Sequence, residues 1–335
     1  MTIVDIAKES GYSVSTVSRV LNGRQDVSAK ARNRILAIVE ARKFVPNNNA
    51  KHLKQAASKS ILILVKGTSN MLFASLIESL QSIFEESDYP IRIHYLDEDS
   101  NEVSEAVRIC REHKPMGVLF LGGNETYFKE QFERIHVPCV LVTNRGNELG
   151  FPNLSSVATD DAAAAEEVVD YLFDHGHTDI AVVGGERNLS STSIERYMGC
   201  CNSFTKHGRT FDERYYATAR YSYDSAYAAM NRLLDKKIPV SAVFAMSDVM
   251  AVGAIRAIYD RGLKVPEDIS MIGFDGTLLA DYYNPKIVTI RQDYELMAVR
   301  SVEILLGMVN LNYQAVHELI PFELKNTESV IQYHS

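Results

Sequence analysis

Cysteine is scarce and unpatterned: Cys110, Cys139, Cys200 and Cys201 show no CxxC spacing, which argues against a disulfide scaffold or a thiolate metal site and reads as reduced core thiols. No apolar run approaches the roughly 18 residues that a bilayer span requires. The opening MTIVDIAKESGY meets an acid by position 5 and lacks a cationic start with an apolar core, so it does not read as a secretory signal, and the expected compartment is the cytoplasm. Glycine (18) and proline (9) are too few for a collagen-like or low-complexity chain. Neither GxSxG nor HExxH occurs, and no glycine pair fits GxGxxG or GxxxxGKS, so hydrolase, metalloprotease and nucleotide-loop chemistry lack their usual carriers. His175 and His177 in DHGHTDI stand two apart with no matching cysteine or carboxylate pattern, and read as capping or packing residues. Nothing demands an enzyme, a metal or a cofactor.

What is present is a 335-residue chain, 46% hydrophobic and 23% charged, long enough for two domains with packed cores. The net charge of −8 divides unevenly: residues 1 to 59 carry +7 and the remainder −15. A small basic head on a large acidic body implies that only the head meets a polyanion.

In the head, Thr2 to Glu9 has helical spacing, with Ile3, Ile6 and Ala7 on one face and Thr2 and Asp5 in capping-box positions. Gly11 breaks it. After the turn Gly11-Tyr12-Ser13-Val14, a second helix over 15–21 turns Val17 and Leu21 inward and leaves Val14, Ser15, Ser18 and Arg19 outward, a helix-turn-helix spacing. Ser28 caps a third helix over 29–42, whose Ala31, Ile35, Ile38 and Val39 close a three-helix core.

DIAKESGYSVSTVSRVLNG, followed by VS, an arginine-rich helix and VPNNNAKHL, closely resembles the DNA-binding head of the lactose repressor/galactose repressor family. The resemblance implies that Val14, Ser15 and Arg19 meet base edges in the major groove, where an arginine pairs bidentately with guanine for about 1–3 kcal/mol of discrimination. Thr16, Ser18 and Asn22 fall to backbone positioning, and Thr2 is also implied to contact the DNA. It also implies that the segment from Pro46 through Asn47, Ala50, Lys51 and Leu53 is a hinge that becomes helical on the operator, Leu53 wedging between base pairs in the minor groove. Asn49 and Lys51 stand where the family usually has arginine.

Beyond Ser60 short apolar runs alternate with amphipathic segments. Strands are expected over 61–65, 91–95, 118–121 and 140–142 in one half and over 180–183, 243–245 and 271–274 in the other, with helices such as 73–86 and 249–261 between them. Alternation of this kind predicts parallel sheets flanked by helices. MGVLFLGG and DIAVVGG both end a strand in paired glycines, an internal echo of two similar lobes facing one cleft, and ligands of such sheets sit beyond the strands' C-terminal ends.

The body resembles the family's effector domain, similar to periplasmic sugar-binding proteins, through GHTDIAVVGG, SIERYMGC, AVFAMSDVMAVGAIRAIYDRGLKVPEDISMIGFDG and YYNPKIVTIRQD. The organisation implied is a helix-turn-helix head over 1–45, a hinge over 46–59 and an α/β, two-lobed effector and dimerisation domain over 60–335, its lobes near 60–156 and 157–288 with the chain crossing back near 289–325. Effector contacts are implied for Leu72, Phe73, Arg196, Tyr221 and Asp275, and also for Asn144, Asp160, Ser247 and Asp248. Arginine and aspartate beside aromatic rings suit a sugar, although a purine or another polar metabolite would use similar groups. The reading is a ligand-controlled repressor acting as a homodimer on a pseudo-palindromic operator, without membrane contact. The tail after Leu324 shows no leucine heptads, which favours a dimer over a tetramer. An exported sugar-binding protein for transport would share the body but carry no basic head.

Overall fold

A computed structural model describes residues 3–21, 27–42, 59–67 and 69–334. The chain forms two compact units, Met1–Ala56 and Ala57–Ser335.

Among its described residues the first unit holds three helices, α1 (Ile3–Ser10), α2 (Val14–Leu21) and α3 (Ala29–Ala41). Ile6, Ala7, Val17, Val20 and Ile35 form its core, with Leu21, Ile38 and Val39 packed against it. Val20 is an addition to the faces read from spacing. α2 begins one residue earlier than expected because the Ser13 hydroxyl accepts the Thr16 N–H at 3.2 Å and so serves as the cap. Ser28 caps α3 by accepting from the Ala31 N–H. Arg42, just past α3, pairs with Glu9 at 2.9 Å and ties the ends of two helices together.

In the second unit every strand predicted from apolar runs is present: β1 (Ile61–Lys66), β2 (Ile91–Leu96), β3 (Gly117–Leu121), β4 (Cys139–Val142), β6 (Ile180–Gly184), β8 (Ala242–Ala245) and β9 (Ser270–Asp275). Five more complete the sheets: β5 (Leu154–Ala158), β7 (Tyr216–Thr218), β10 (Val288–Gln292), β11 (His317–Leu319) and β12 (Phe322–Lys325). The first sheet runs β11-β5-β4-β3-β1-β2 and the second β12-β10-β9-β8-β6-β7. All pairings are parallel except β10 with β12.

Strand alternation sorts side chains onto two buried faces. Ile61, Ile63 and Val65 pack under helices α4 (Met71–Glu85) and α12 (Tyr294–Leu311), whereas Leu62 and Leu64 pack with Val103, Ala106 and Val107 of α5 (Glu102–His113) and Phe128 of α6 (Glu125–Gln131). The second lobe buries its sheet between α7 (Asp161–Asp174), α8 (Ser191–Lys206), α9 (Tyr223–Asp235) and α10 (Asp248–Asp260), with the short α11 (Leu278–Tyr282) after β9.

The strands give the approximate lobe boundaries of the sequence reading their exact ends. β5 continues to Ala158 and β10 to Gln292, so the chain crosses after 158, after 292 and again between β11 and β12. α12 and β11 thus complete the first lobe and β12 the second. β5 escaped the apolar count because Ser155 and Ser156 sit in it fully buried. Their hydroxyls accept the N–H groups of Val316 at 3.0 Å and Gly146 at 3.1 Å, which satisfies them inside the sheet.

α7 and α8 cross at Gly199, where an added Cβ would lie 2.1 Å from the Ala162 carbonyl oxygen and 2.9 Å from the Ala165 Cβ. Gly199→Ala is therefore expected to destabilise the body by about 1–3 kcal/mol despite alanine's better helix propensity, because backbone must move. Urea unfolding checks this; an unchanged or raised midpoint would refute the close crossing.

Candidate functional site

Two sites emerge, one in each unit. On the head, Val14 is 42% exposed and Arg19 is also exposed, both on the outward side of α2. Thr16, read as a backbone-positioning residue, shares a 2.9 Å hydroxyl contact with Ser13. Thr2, Asn22, Asn47, Ala50, Lys51 and Leu53, and the side chains of Ser15 and Ser18, lie outside the described residues.

The body's site is a cleft of about 540 Å³ at the C-terminal ends of strands from both sheets. The first lobe supplies the ends of β1, β3 and β4, with Asn144 after β4 and Leu72 and Phe73 from the first turn of α4. Asn70 caps that turn by accepting from the Leu72 N–H at 2.9 Å, which presents the apolar pair to the cleft. Lys66 also lines it, held at 2.5 Å by the buried Glu102 carboxylate, whose other oxygen accepts the Asn124 N–H at 2.6 Å.

Arg196, Tyr221 and Asp275 line the second-lobe wall. The buried Arg196 donates through Nε to Asp161 at 2.7 Å and through Nη1 to the Met246 carbonyl, and its guanidinium lies 3.6 Å from the Phe274 ring centroid. Burial opposes the arginine's charge, and Asp161, with Tyr221 and Asp275, together more than offsets it, so Arg196 stays cationic. Burial also raises the Asp161 carboxyl, with Arg196 working the other way. Tyr221 shares a 2.9 Å hydroxyl contact with Ser193, made possible by Gly185: a Cβ there would lie 2.3 Å from Ser193 Oγ and 2.8 Å from the tyrosine ring. The second glycine of the VVGG turn thus serves close packing at the cleft, consistent with a turn and not a phosphate loop. Asp275 has a φ of 113°, a conformation costly for a non-glycine residue. Its carboxylate accepts from Gln292 at 2.8 Å, and burial pushes its pKa well up.

Three of the implied effector residues do not line the cleft. Asp160 caps α7 by accepting the Ala163 N–H at 3.1 Å, and Ser247 caps α10 by accepting the Met250 N–H at 3.2 Å. Asp248 is fully buried, accepting from Thr277 N–H at 2.7 Å, Thr277 Oγ1 at 2.8 Å and Thr289 Oγ1 at 2.6 Å; burial pushes its pKa up to about 6. A capping carboxylate is turned onto its own backbone, which takes it from the ligand. The next residue, Asp161, is buried behind the wall and holds Arg196, which does line the cleft. Sequence reasoning also missed Lys66, Ser193, Arg220 and the acidic run Asp97-Glu98-Asp99, which line the cleft or hold those that do.

His177 fills a structural role: Nδ1 contacts Ser241 Oγ and Nε2 donates to the Ile331 carbonyl, both at 3.1 Å, and the ring stacks on Tyr333. Among the described residues no group of three or more His, Cys, Asp or Glu is placed to hold a metal ion, and no helix is long and apolar enough to cross a membrane.

Two predictions follow from the wall around Arg196. Asp161→Ala leaves a buried guanidinium unpaired and is expected to lower stability by about 3–5 kcal/mol, measurable by chemical unfolding; a loss under about 1 kcal/mol would refute the pairing. Half-buried Glu195 has a buried oxygen with no hydrogen-bond partner, and burial, with Asp161 and Asp160 nearby, pushes its pKa up to about 7 against the opposing Arg145 and Arg196. A carboxyl raised on folding contributes stability that is lost as pH climbs through the folded value. Glu195→Gln is therefore expected to gain stability over the parent near pH 8, on the order of 1 kcal/mol after solvent screening, and to gain less near pH 5. An equal effect at both pH values would refute it.

Comparison with known proteins agrees with this construction. Residues 2–47 match the family model for bacterial regulatory proteins of the lacI family, and residues 169–330 match the periplasmic binding protein-like domain. The chain is 37% identical to the HTH-type transcriptional regulator MalR of Clostridium butyricum, covering 98% of this chain and 99% of that protein. It is 30% identical to the probable HTH-type transcriptional repressor ExuR of Bacillus subtilis (strain 168), covering 99% and 97%. Its fold is shared by the lac repressor dimer bound to operator and the anti-inducer ONPF, at 23% identity, 99% of both chains and a TM-score of 0.71. The transcriptional regulator CelR in complex with cellobiose also shares it, at 24% identity, 98% and 99% coverage and a TM-score of 0.71. A helix-turn-helix head and a two-lobed binding body in one chain, matched along nearly its whole length, place this protein in the lacI family of DNA-binding transcriptional regulators.

Proposed function

We propose that the protein is a cytoplasmic repressor acting as a homodimer on a pseudo-palindromic operator, and that a sugar held between its lobes controls that binding. The observation that carries the reading is the cleft itself. Arg196, Asp275 and Asn144 offer donors and acceptors for hydroxyl groups, and Phe73, Leu72 and Tyr221 offer apolar and aromatic surface for a ring face. CelR, which shares the fold, carries cellobiose in its solved complex.

In the head, the exposed side of α2 bears Val14 and Arg19, which suits base contacts, while Thr16 suits the phosphate backbone. One short helix reads few base pairs, so two heads on a symmetric site supply the remaining specificity. The sugar changes operator affinity by binding two lobe arrangements unequally, a coupling of about 1–3 kcal/mol in regulators of this kind.

Selection from random duplexes, with and without a panel of sugars and nucleobases, tests the whole reading. The expected result is a palindrome whose recovery changes with one sugar; a response to a purine base alone would replace the sugar, and no preferred sequence under any condition would overturn operator recognition. On the recovered site, Arg19→Ala is expected to cost about 1–3 kcal/mol and to relax preference at one position per half-site. A uniform loss across all sequences would reassign Arg19 to the phosphates.

A further inference from the structure

Arg220, after β7 in the second lobe, meets three consecutive carboxylates that follow β2 in the first lobe. Its guanidinium reaches Asp97 at 2.8 Å, Asp99 at 3.2 Å and Glu98 at 3.4 Å. All four residues line the cleft, and Asn124 Nδ2 adds a second link between the lobes by donating to the Leu189 carbonyl at 2.9 Å.

The other two cations lining the cleft are equally engaged, Lys66 by Glu102 and Arg196 by Asp161. Against these three cations the lining sets five carboxyl groups besides the buried Asp275, whose charge burial disfavours: the acidic run together with Glu186 and Asp224. A phosphate or carboxylate entering this cleft would have to displace a carboxylate from a guanidinium while facing the remaining ones, and repulsion of that kind rejects a ligand as effectively as a clash. A hydroxyl meets no such barrier, because it donates to carboxylates and accepts from the same guanidinium. The volume, about 540 Å³, lies within the roughly 300–1,000 Å³ of sites for drug-sized ligands, so a single hexose would leave it part-filled.

We propose that Asp97, Glu98 and Asp99 determine the charge specificity of the cleft: by occupying Arg220 and surrounding it with negative charge, they make the effector an uncharged oligosaccharide and exclude sugar phosphates, uronates and nucleotides. This rests on the sugar reading above. Because Arg220 and its partners lie on opposite lobes, the same pairs also bridge the two lobes at the cleft. With Asp97 and Asp99 mostly exposed, at 64% and 60%, these pairs are open to salt.

Calorimetric titration of the full-length protein with glucose, cellobiose, maltose, the 6-phosphates of these sugars, glucuronate, guanine and guanosine monophosphate tests the proposal. The parent is expected to bind a neutral disaccharide more tightly than glucose and to bind the phosphate ester of the same disaccharide at least about tenfold more weakly, the effect of one close charge in a partly screened site. The triple variant D97N/E98Q/D99N is expected to shift the ratio of phosphorylated to neutral affinity by about tenfold toward the phosphate. Circular dichroism and a thermal melt of the variant confirm that it folds, and the wild-type ratio stands as a test without it. A parent that binds the phosphate ester as tightly as the neutral sugar, or a folded variant with an unchanged ratio, would overturn the charge specificity and leave the sugar reading intact. Binding of guanine with no response to any neutral saccharide would overturn the sugar reading; charge specificity would then survive only if the monophosphate bound more weakly than the base.

Discussion

The second lobe is organised around one buried cation. Arg196 projects from α8 and joins the start of α7 through Asp161, the end of β8 through the Met246 carbonyl and the face of β9 through Phe274. A guanidinium in that position cannot be left unpaired, so the elements supplying its partners must meet around it. The requirement reaches into the packing: α7 and α8 approach closely enough to exclude a Cβ at Gly199, which lies three residues beyond Arg196 on the same helix. The cation that lines the cleft is also the one that fixes the register of the helices behind it, which leaves little freedom for a ligand to reorient that wall.

What could be read from the chain follows from where its partners lie. Continuous apolar runs such as Ile61 to Val65 can be satisfied only inside a parallel sheet, and the structure contains all the strands predicted on that ground. β5 and β10 were hidden because Ser155, Ser156, Thr289 and Gln292 are buried polar residues whose partners lie elsewhere in the fold. The same limit operates at the site. Leu72, Phe73, Asn144, Arg196, Tyr221 and Asp275 follow strand ends, where ligands of open sheets sit, and all six line the cleft. Between the adjacent acids of ATDDAA, the sequence gives no means of telling the cap from the buried partner. The first turn of α7 decides it: Asp160 folds back onto the Ala163 N–H and Asp161 turns inward to Arg196. The pairing of Arg220 with Asp97 spans 123 residues and two lobes, and no local pattern encodes it.

The cleft and the crossings between lobes share atoms. Asp275, at the cleft wall, accepts from Gln292, the last residue of β10 before the chain crosses to the first lobe, and Gln292 in turn accepts from Thr159 at 2.8 Å, just after the chain has left β5. Thr159 and Gln292 are 0% and 1% exposed, so neither can exchange its partner for water without opening the crossing. A ligand that takes the Asp275 carboxylate as an acceptor therefore acts on a group already committed to two of the three segments about which the lobes would move. The raised pKa of that carboxyl has the same origin: the crossing encloses it, and enclosure disfavours its charge. A hydroxyl donor arriving from the cleft favours the ionised form of the carboxyl that also accepts from Gln292, so the ligand contact and the crossing act on one group. Unequal binding to two lobe arrangements, as proposed, would have a local physical basis in one carboxylate shared between the ligand space and the strands that join the lobes.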